Sequence, residues 1–243
     1  MNDAAWELRA DAVILTALRA EGYLMATSTV AAGDMHIESG ESGRAARECF
    51  VRTWGQAAPL VCGRQVHGTR IETITAASSG FFDQTDGYLV APGVRCAAGV
   101  FTADCLAIAI FDRRRREYVL IHSGWKGTAA GLPGMAVRAL EERGTRPADL
   151  LVAFSPSIRP CCYEVGDEFA DHFPAGPFQR RGGRLFFDNQ GAALRQIEDA
   201  GVRPEQIFPS PFCTCCDPQD RFWSWRRQGL ASGRMMTVLA PLG

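Results

Sequence analysis

Histidine is scarce in this chain: four in 243 residues, at positions 36, 67, 122 and 172. Any site that uses imidazole must draw on that short list. Long apolar runs are also missing, and none reaches the roughly 18 residues of a membrane-spanning helix. The first residues, MNDAAWELRADAV, are acidic where a secretory leader is basic and lack its apolar core, so a cytoplasmic location is expected. Charge of one sign is absent too. Lys and Arg number 26 against 27 Asp and Glu, a net −1, which gives no electrostatic footprint for nucleic acid or an anionic membrane. There is no internal repeat, low-complexity tract or evident linker.

Cysteine, by contrast, is plentiful. Nine is an odd number, and a chain of this length does not need disulfides to hold its core. They read as free thiols. With 47% hydrophobic and 22% charged residues, the composition is that of an ordinary globular protein. The pattern of elements predicts one mixed α/β domain over residues 1–243, with a central sheet and flanking helices.

Apolar positions at Trp6, Ala10, Val13, Ile14, Ala17 and Leu18 have a helical period, giving a predicted helix over 5–19 that ends at Gly22. A strand follows at 23–29, then a polar, Gly-rich loop at 31–43 that could reach over a site, then a helix at 44–54. Residues 60–66 and 70–75 read as a strand pair broken at His67-Gly68. Strands at 87–91 and 96–100 lead to two buried ones, 106–112 and 118–122, joined by the charged connection 113–117. Further elements are a helix from Leu132-Pro133 to about Arg143, a strand at 150–154, a helix at 167–173 and a strand at 184–187. A helix capped by Asp188 or Asn189 and a closing strand at 235–240 complete the reading.

Three metal-capable side chains stand at the ends of these segments. Cys105 precedes the strand at 106, His122 closes the strand at 118, and His67 sits before Gly68, where backbone freedom permits close approach. Two imidazoles and one thiolate are a plausible zinc set that leaves a fourth position open. Gln65, two residues from His67 on extended chain, faces the same way. Lys126, in the turn after His122, offers a cation beside a helix start. Trp223, Trp225, Arg226 and Arg227 form an aromatic–basic cluster able to wall a pocket and hold an anion. Asp104 is a candidate proton donor. Arg113–Arg116 reads as a solvated connection. Cys161-Cys162 and Cys213-Thr214-Cys215-Cys216 suggest a second metal site, but they contain only one CxxC and read as structural thiols.

Several blocks resemble one family in order: QVHG at Gln65–Gly68, TADC at Thr102–Cys105, HSGWKG at His122–Gly127, PSIRPCCYEVG at Pro156–Gly166, and a Cys-rich tail with SWRR at Cys213–Arg234. This is the laccase-domain or polyphenol-oxidase-like family, and the resemblance runs from about Leu60 to the C-terminus. It implies a zinc-dependent purine nucleoside phosphorylase acting on adenosine, inosine and methylthioadenosine, with adenosine deaminase activity. It also implies that His67, Cys105 and His122 are the zinc ligands. Purine nucleosides and phosphate are then the partners, with Gln65, Lys126, Arg226 and Arg227 as substrate-binding candidates. The chain departs from the family in its N-terminal segment, in Lys126 where Arg is usual, and in Trp225 where Tyr is usual. Copper oxidation of phenols is an alternative, weakened because only His36 and His172 remain to build a further copper cluster. A cysteine hydrolase with Cys105 as nucleophile, of the kind that edits peptidoglycan precursors, is another. The deaminase signature H-x-E…P-C-x-x-C is absent.

Overall fold

The computed structural model describes residues 5–77, 79–174 and 176–242. Its elements are built from strands that are apolar on both faces, because the chain stacks two large sheets and covers each with helix. The first sheet contains β1 (Trp6–Leu8), β2 (Ala12–Leu15), β3 (Tyr23–Ser28), β4 (Leu60–Gly63), β6 (Gly80–Phe82), β8 (Ala97–Thr102) and β16 (Met235–Pro241). Its order is β1-β2-β3-β16-β8-β4-β6. The second contains β5 (Ile71–Ile74), β7 (Gly87–Val90), β9 (Leu106–Asp112), β10 (Tyr118–Ser123), β11 (Leu150–Phe154) and β15 (Ile207–Phe208), in the order β15-β11-β9-β10-β7-β5. Both sheets mix parallel and antiparallel pairs. A small third sheet holds β12 (Glu164–Val165), β13 (Phe178–Arg181) and β14 (Arg184–Phe187).

Strand β9 shows how the layers are specified. Ala107, Ala109 and Phe111 enter the core between the two large sheets, with Met25, Val100 and Leu239 among their companions. Leu106, Ile108 and Ile110 face the other way, into a second core with α3 (Leu132–Glu141) and α5 (Asn189–Asp199). The period of two is present, but neither face is polar, so the strand reads as one apolar run. Each fully buried Ile here contributes on the order of 2 kcal/mol. On the far side of the first sheet, Phe50 and Val51 of α1 (Gly40–Trp54) pack against Ile14, Leu24 and Val238. The architecture is therefore mixed α/β, as expected, but with two face-to-face sheets instead of one central sheet.

The segment expected as a helix over 5–19 is a β1–β2 hairpin followed by a short 3-10 turn, Ala17–Glu21. Its residues Ala12–Leu15 are all fully buried, which a one-sided helical stripe cannot achieve. Pairing with β3 overrides the apparent 3.6 period. Gly22 does end the segment, at φ +74°. A second difference matters for function: β4 and β5 are not partners. One belongs to each sheet, so residues 64–70 cross from layer to layer, and His67 lies on that crossing. The Asp188 side chain caps α5 by accepting from the Gly191 N–H at 3.0 Å. No helix among the described residues is long and apolar enough to cross a membrane.

Alanine at 107 and 109 sets the spacing of the two sheets. Ala109→Leu should destabilise the protein by about 1–3 kcal/mol through overpacking. Ile110→Val, on the helix side of the same strand, should cost about 1 kcal/mol. Urea unfolding checks both. An unchanged midpoint for Ala109→Leu would mean that the inter-sheet layer is not tightly packed.

Candidate metal centre

Cys105 and His122 come together because β9 and β10 form an antiparallel pair in which His122 lies opposite Ala107. Cys105 is two residues before Ala107, so all three fall on one face of the hairpin. The small Ala107 leaves space for the imidazole. His67 arrives from the sheet crossing, in a left-handed conformation at φ +60° that is uncommon for a residue with a side chain. Its Nε2 lies 3.8 Å from Cys105 Sγ, and its ring centroid 4.8 Å from that of His122 at a nearly perpendicular angle. Gly124 completes the arrangement. A Cβ there would sit 2.6 Å from His67 Cδ2 and 3.0 Å from Cys105 Sγ, so glycine is required.

A residue without a role in the sequence reading holds this cluster together. Asp86 is fully buried. One carboxylate oxygen accepts from the His67 N–H at 3.0 Å, and the other from those of Val66 at 3.2 Å and Gly68 at 2.8 Å. The first oxygen also lies 2.8 Å from His122 Nδ1. A carboxylate only accepts, so Nδ1 carries a hydrogen and Nε2 is the nitrogen that faces the site, its lone pair available to a metal once its own proton is displaced. The Asp86 carbonyl accepts from the His122 N–H at 2.7 Å. Asp86 thus fixes the crossing loop and the imidazole at once. Its only sequence signal was position, immediately before the strand that starts at Gly87.

Burial by itself raises the Asp86 carboxyl, yet His122 and the N–H groups of Gly68 and Val66 hold it below the usual carboxylate range. Burial would likewise push the Cys105 thiol up, but hydrogen bonds from His122 and His67 and their positive potential bring it down to about 6. For His122, burial works against the charged form. Asp86 and Cys105 outweigh it and lift the imidazole to about 9. The metal-free site is therefore a thiolate–imidazolium pair near neutral pH.

The donor atoms of His67, Cys105 and His122 all lie within 4.8 Å of one another. A tetrahedral ion about 2.0–2.3 Å from each donor needs them roughly 3.3–3.8 Å apart, so the set fits one metal ion after small adjustments. The trio borders a cavity of about 620 Å³. Trp125 and Tyr163 contribute aromatic walls, and Arg64, Arg226 and Arg234 contribute cations. His36, Ile37 and Glu38 also line it, so the polar loop after β3 does reach over the site. Two buried oxygens on the wall, Thr102 Oγ1 and Asn189 Oδ1, have no hydrogen-bond partner within the protein.

The remaining sequence candidates are distributed unevenly. Gln65 lines the cavity, but its amide is engaged at both ends with the Phe101 backbone, each bond 2.7 Å. Lys126 lies outside the lining residues, its ammonium 5.6 Å from the Trp125 ring centroid. Arg226 borders the cavity and spans Tyr163 at 5.5 Å, while its N–H donates to Asp104 at 2.7 Å. Arg227 points away, donating to the carbonyls of Thr214, Cys215 and Phe222. Both oxygens of Asp104 are occupied, by Thr214 Oγ1 at 2.6 Å and by Arg226. His172 packs on Trp125 with ring centroids 5.2 Å apart, away from the trio.

With this geometry the comparisons become informative. The family model described as multi-copper polyphenol oxidoreductase laccase matches residues 17–241. The chain belongs to this laccase family. Within it, the chain is 34% identical over 196 residues to a purine nucleoside phosphorylase, YlmD, of Geobacillus stearothermophilus, covering 74% of this chain and 71% of the relative. It is 29% identical over 195 residues to adenosine deaminase RL5 of an unknown prokaryotic organism, covering 73% of each. The crystal structure of YlmD from Geobacillus stearothermophilus superposes with a TM-score of 0.86 at 25% identity, over 98% of this chain and 99% of that one. The laccase family name and the phosphorylase and deaminase names attach to one fold, so chemistry must be argued from the site.

Two outcomes follow from the site's geometry. Asp86→Asn should lower metal affinity about 10–100-fold while the fold persists, measured by competition with a chromophoric chelator. Unchanged affinity would remove Asp86 from the orientation of His122. In metal-free protein, alkylation of Cys105 should rise through a midpoint near pH 6, because the thiolate is the reactive form. A midpoint near the ordinary thiol value would show that His122 and His67 do not stabilise the thiolate.

Proposed function

We propose that this chain is a zinc-dependent phosphorylase of purine nucleosides, including adenosine, inosine and methylthioadenosine, with adenosine deaminase activity in the same site. The observation that carries the reading is a three-donor His/Cys/His centre on the wall of a cavity large enough for a nucleoside. His67, Cys105 and His122 would hold the ion, and the two-nitrogen, one-sulfur set suits zinc. Zinc held by three residues supplies Lewis acidity at an open coordination position. Copper oxidation of phenols is less well supported, since four histidines in the whole chain, two of them outside the trio, cannot furnish a multinuclear cluster.

The chain's own residues supply recognition. Trp125 and Tyr163 offer flat apolar surface for a purine ring. Asn189 donates its Nδ2 to the Ser123 carbonyl at 3.1 Å, which leaves Oδ1 as an acceptor for a base N–H. Thr102 Oγ1 offers a second polar contact. Phosphate would meet Arg226 and Arg234 in preference to Lys126, because those two line the cavity. All nine cysteines are free, which fits a reducing compartment, and a cytoplasmic location belongs to this proposal.

A second reading has a specific observation in its favour. Cys105, His122 and Asp86 form a depressed-pKa thiol, an imidazole and an orienting carboxylate, the layout of a thiol hydrolase. Metal dependence separates the two. Phosphorolysis of inosine should disappear on chelation and return with zinc. Full hydrolytic activity in metal-free protein, abolished by alkylating Cys105, would establish the hydrolase instead.

The anion site is tested by phosphorolysis at varied phosphate. Arg226→Ala should raise the phosphate KM about 10–100-fold, the loss of a charged hydrogen bond of about 1.5–3 kcal/mol. Lys126→Ala should change it little. The reverse order would move the phosphate to the turn after His122. Asn189→Ala should raise the nucleoside KM and leave the phosphate KM unchanged.

A further inference from the structure

Four cysteines that the proposed reaction does not use lie together where the turn after Pro160 meets the C-terminal segment. Cys161 and Cys162 belong to the turn after Pro160, and Cys213 and Cys216 to the C-terminal segment. Their sulfur atoms all lie within 4.8 Å of one another, and those of Cys161 and Cys216 are 3.5 Å apart. They are free thiols, not disulfides. Tetrahedral zinc with Zn–S bonds of about 2.3 Å separates its sulfurs by roughly 3.8 Å. Chance packing of thiols brings two together, whereas this arrangement gathers four from two segments about fifty residues apart.

The backbone around them is shaped for thiolates. The sulfur of Cys213 accepts from the N–H groups of Cys216, Arg159 and Cys215, so a CxxC loop wraps its own first ligand. The N–H groups of Cys162 and Tyr163 both converge on the Arg159 carbonyl at 2.9 Å, which curls the other ligand pair into a tight turn. The two segments meet through a bridge between Ser157 and Cys213, with the Thr214 N–H donating to the Ser157 carbonyl at 3.0 Å. Two guanidinium groups sit on the same loops: Arg181 donates to the Pro160 carbonyl, and Arg227 to those of Thr214 and Cys215. Their charge offsets the negative charge of a tetrathiolate centre.

We infer that Cys161, Cys162, Cys213 and Cys216 form a second, closed zinc site whose role is structural. A four-thiolate set fills every position of tetrahedral zinc and leaves none for substrate. What it joins is functional. The Cys161-Cys162 turn continues into Tyr163, and Cys216 belongs to the segment that leads to Trp225 and Arg226, all three of which line the cavity. Zinc binding displaces the thiol protons and ties both walls to one point, which complements the Asp104 bonds to Thr214 and Arg226. The inference stands independently of the proposed reaction.

Elemental analysis of protein purified without added metal tests it. The full chain should carry about two zinc ions, and His122→Ala about one. A Cys161→Ser/Cys216→Ser double variant should lose about half the zinc and retain the first site's share. Cys161→His, which keeps a Cys3His donor set, should retain two, separating loss of a ligand from loss of fold. Cobalt loaded into His122→Ala should show the strong thiolate charge-transfer absorption of a multi-sulfur tetrahedral centre. Zinc content unchanged in a folded double variant would overturn the inference. So would a native protein in which all four cysteines are rapidly alkylated without metal release.

Discussion

A single buried carboxylate, that of Asp86, connects the two sheets to the chemistry between them. The crossing from β4 to β5 leaves three backbone N–H groups, those of Val66, His67 and Gly68, without a ladder partner. Such groups are costly when withdrawn from water, and Asp86 accepts all three. The same carboxylate orients His122, so the loop bearing one imidazole and the strand bearing the other share one anchor. A buried charge of this kind is stable only when its lone pairs are used, and here they are used on the site.

The sandwich around this anchor explains the strained positions. His67 at φ +60° and Asp104 at φ +83° are both non-glycine residues in the left-handed region, and both border the cavity. Each is held by hydrogen bonds that would be lost if the backbone relaxed: to Asp86 in one case, to Thr214 and Arg226 in the other. The buried sheets on either side are rigid enough to maintain such conformations. Strain at the mouth of the site is thus a consequence of joining two well-packed layers through short loops.

The arrangement also accounts for a family whose members carry names of different chemistries. A thiolate and two imidazoles in one small volume can be metal ligands, and without metal they are a thiolate–imidazolium pair. The cavity wall carries the unpartnered oxygens of Thr102 and Asn189 and the cationic side chains of Arg226 and Arg234. For copper oxidation of phenols, only His36 and His172 remain outside the trio.

The sequence by itself determined the strands β3, β7, β8, β9, β10, β11, β14 and β16, the helices α1, α3 and α5, and the mixed α/β class. It did so because their apolar runs, glycine stops and the Asp188 cap are local signals. It also made His67, Cys105 and His122 a candidate set, since each stands at an element's end, two of them beside a Gly-containing turn or loop and Cys105 just before the strand at 106. Only the tertiary structure decided that there are two sheets, that Ala12–Leu15 is a strand, and that β4 and β5 part company at His67. Those outcomes depend on pairing between residues far apart in the chain, for which a local period carries no information. For the same reason, Asp86 was invisible one segment at a time, and the two cysteine segments, read separately, favoured structural thiols over a shared site. A carboxylate's partners, and the company a thiol keeps, are set by which strands and loops become neighbours.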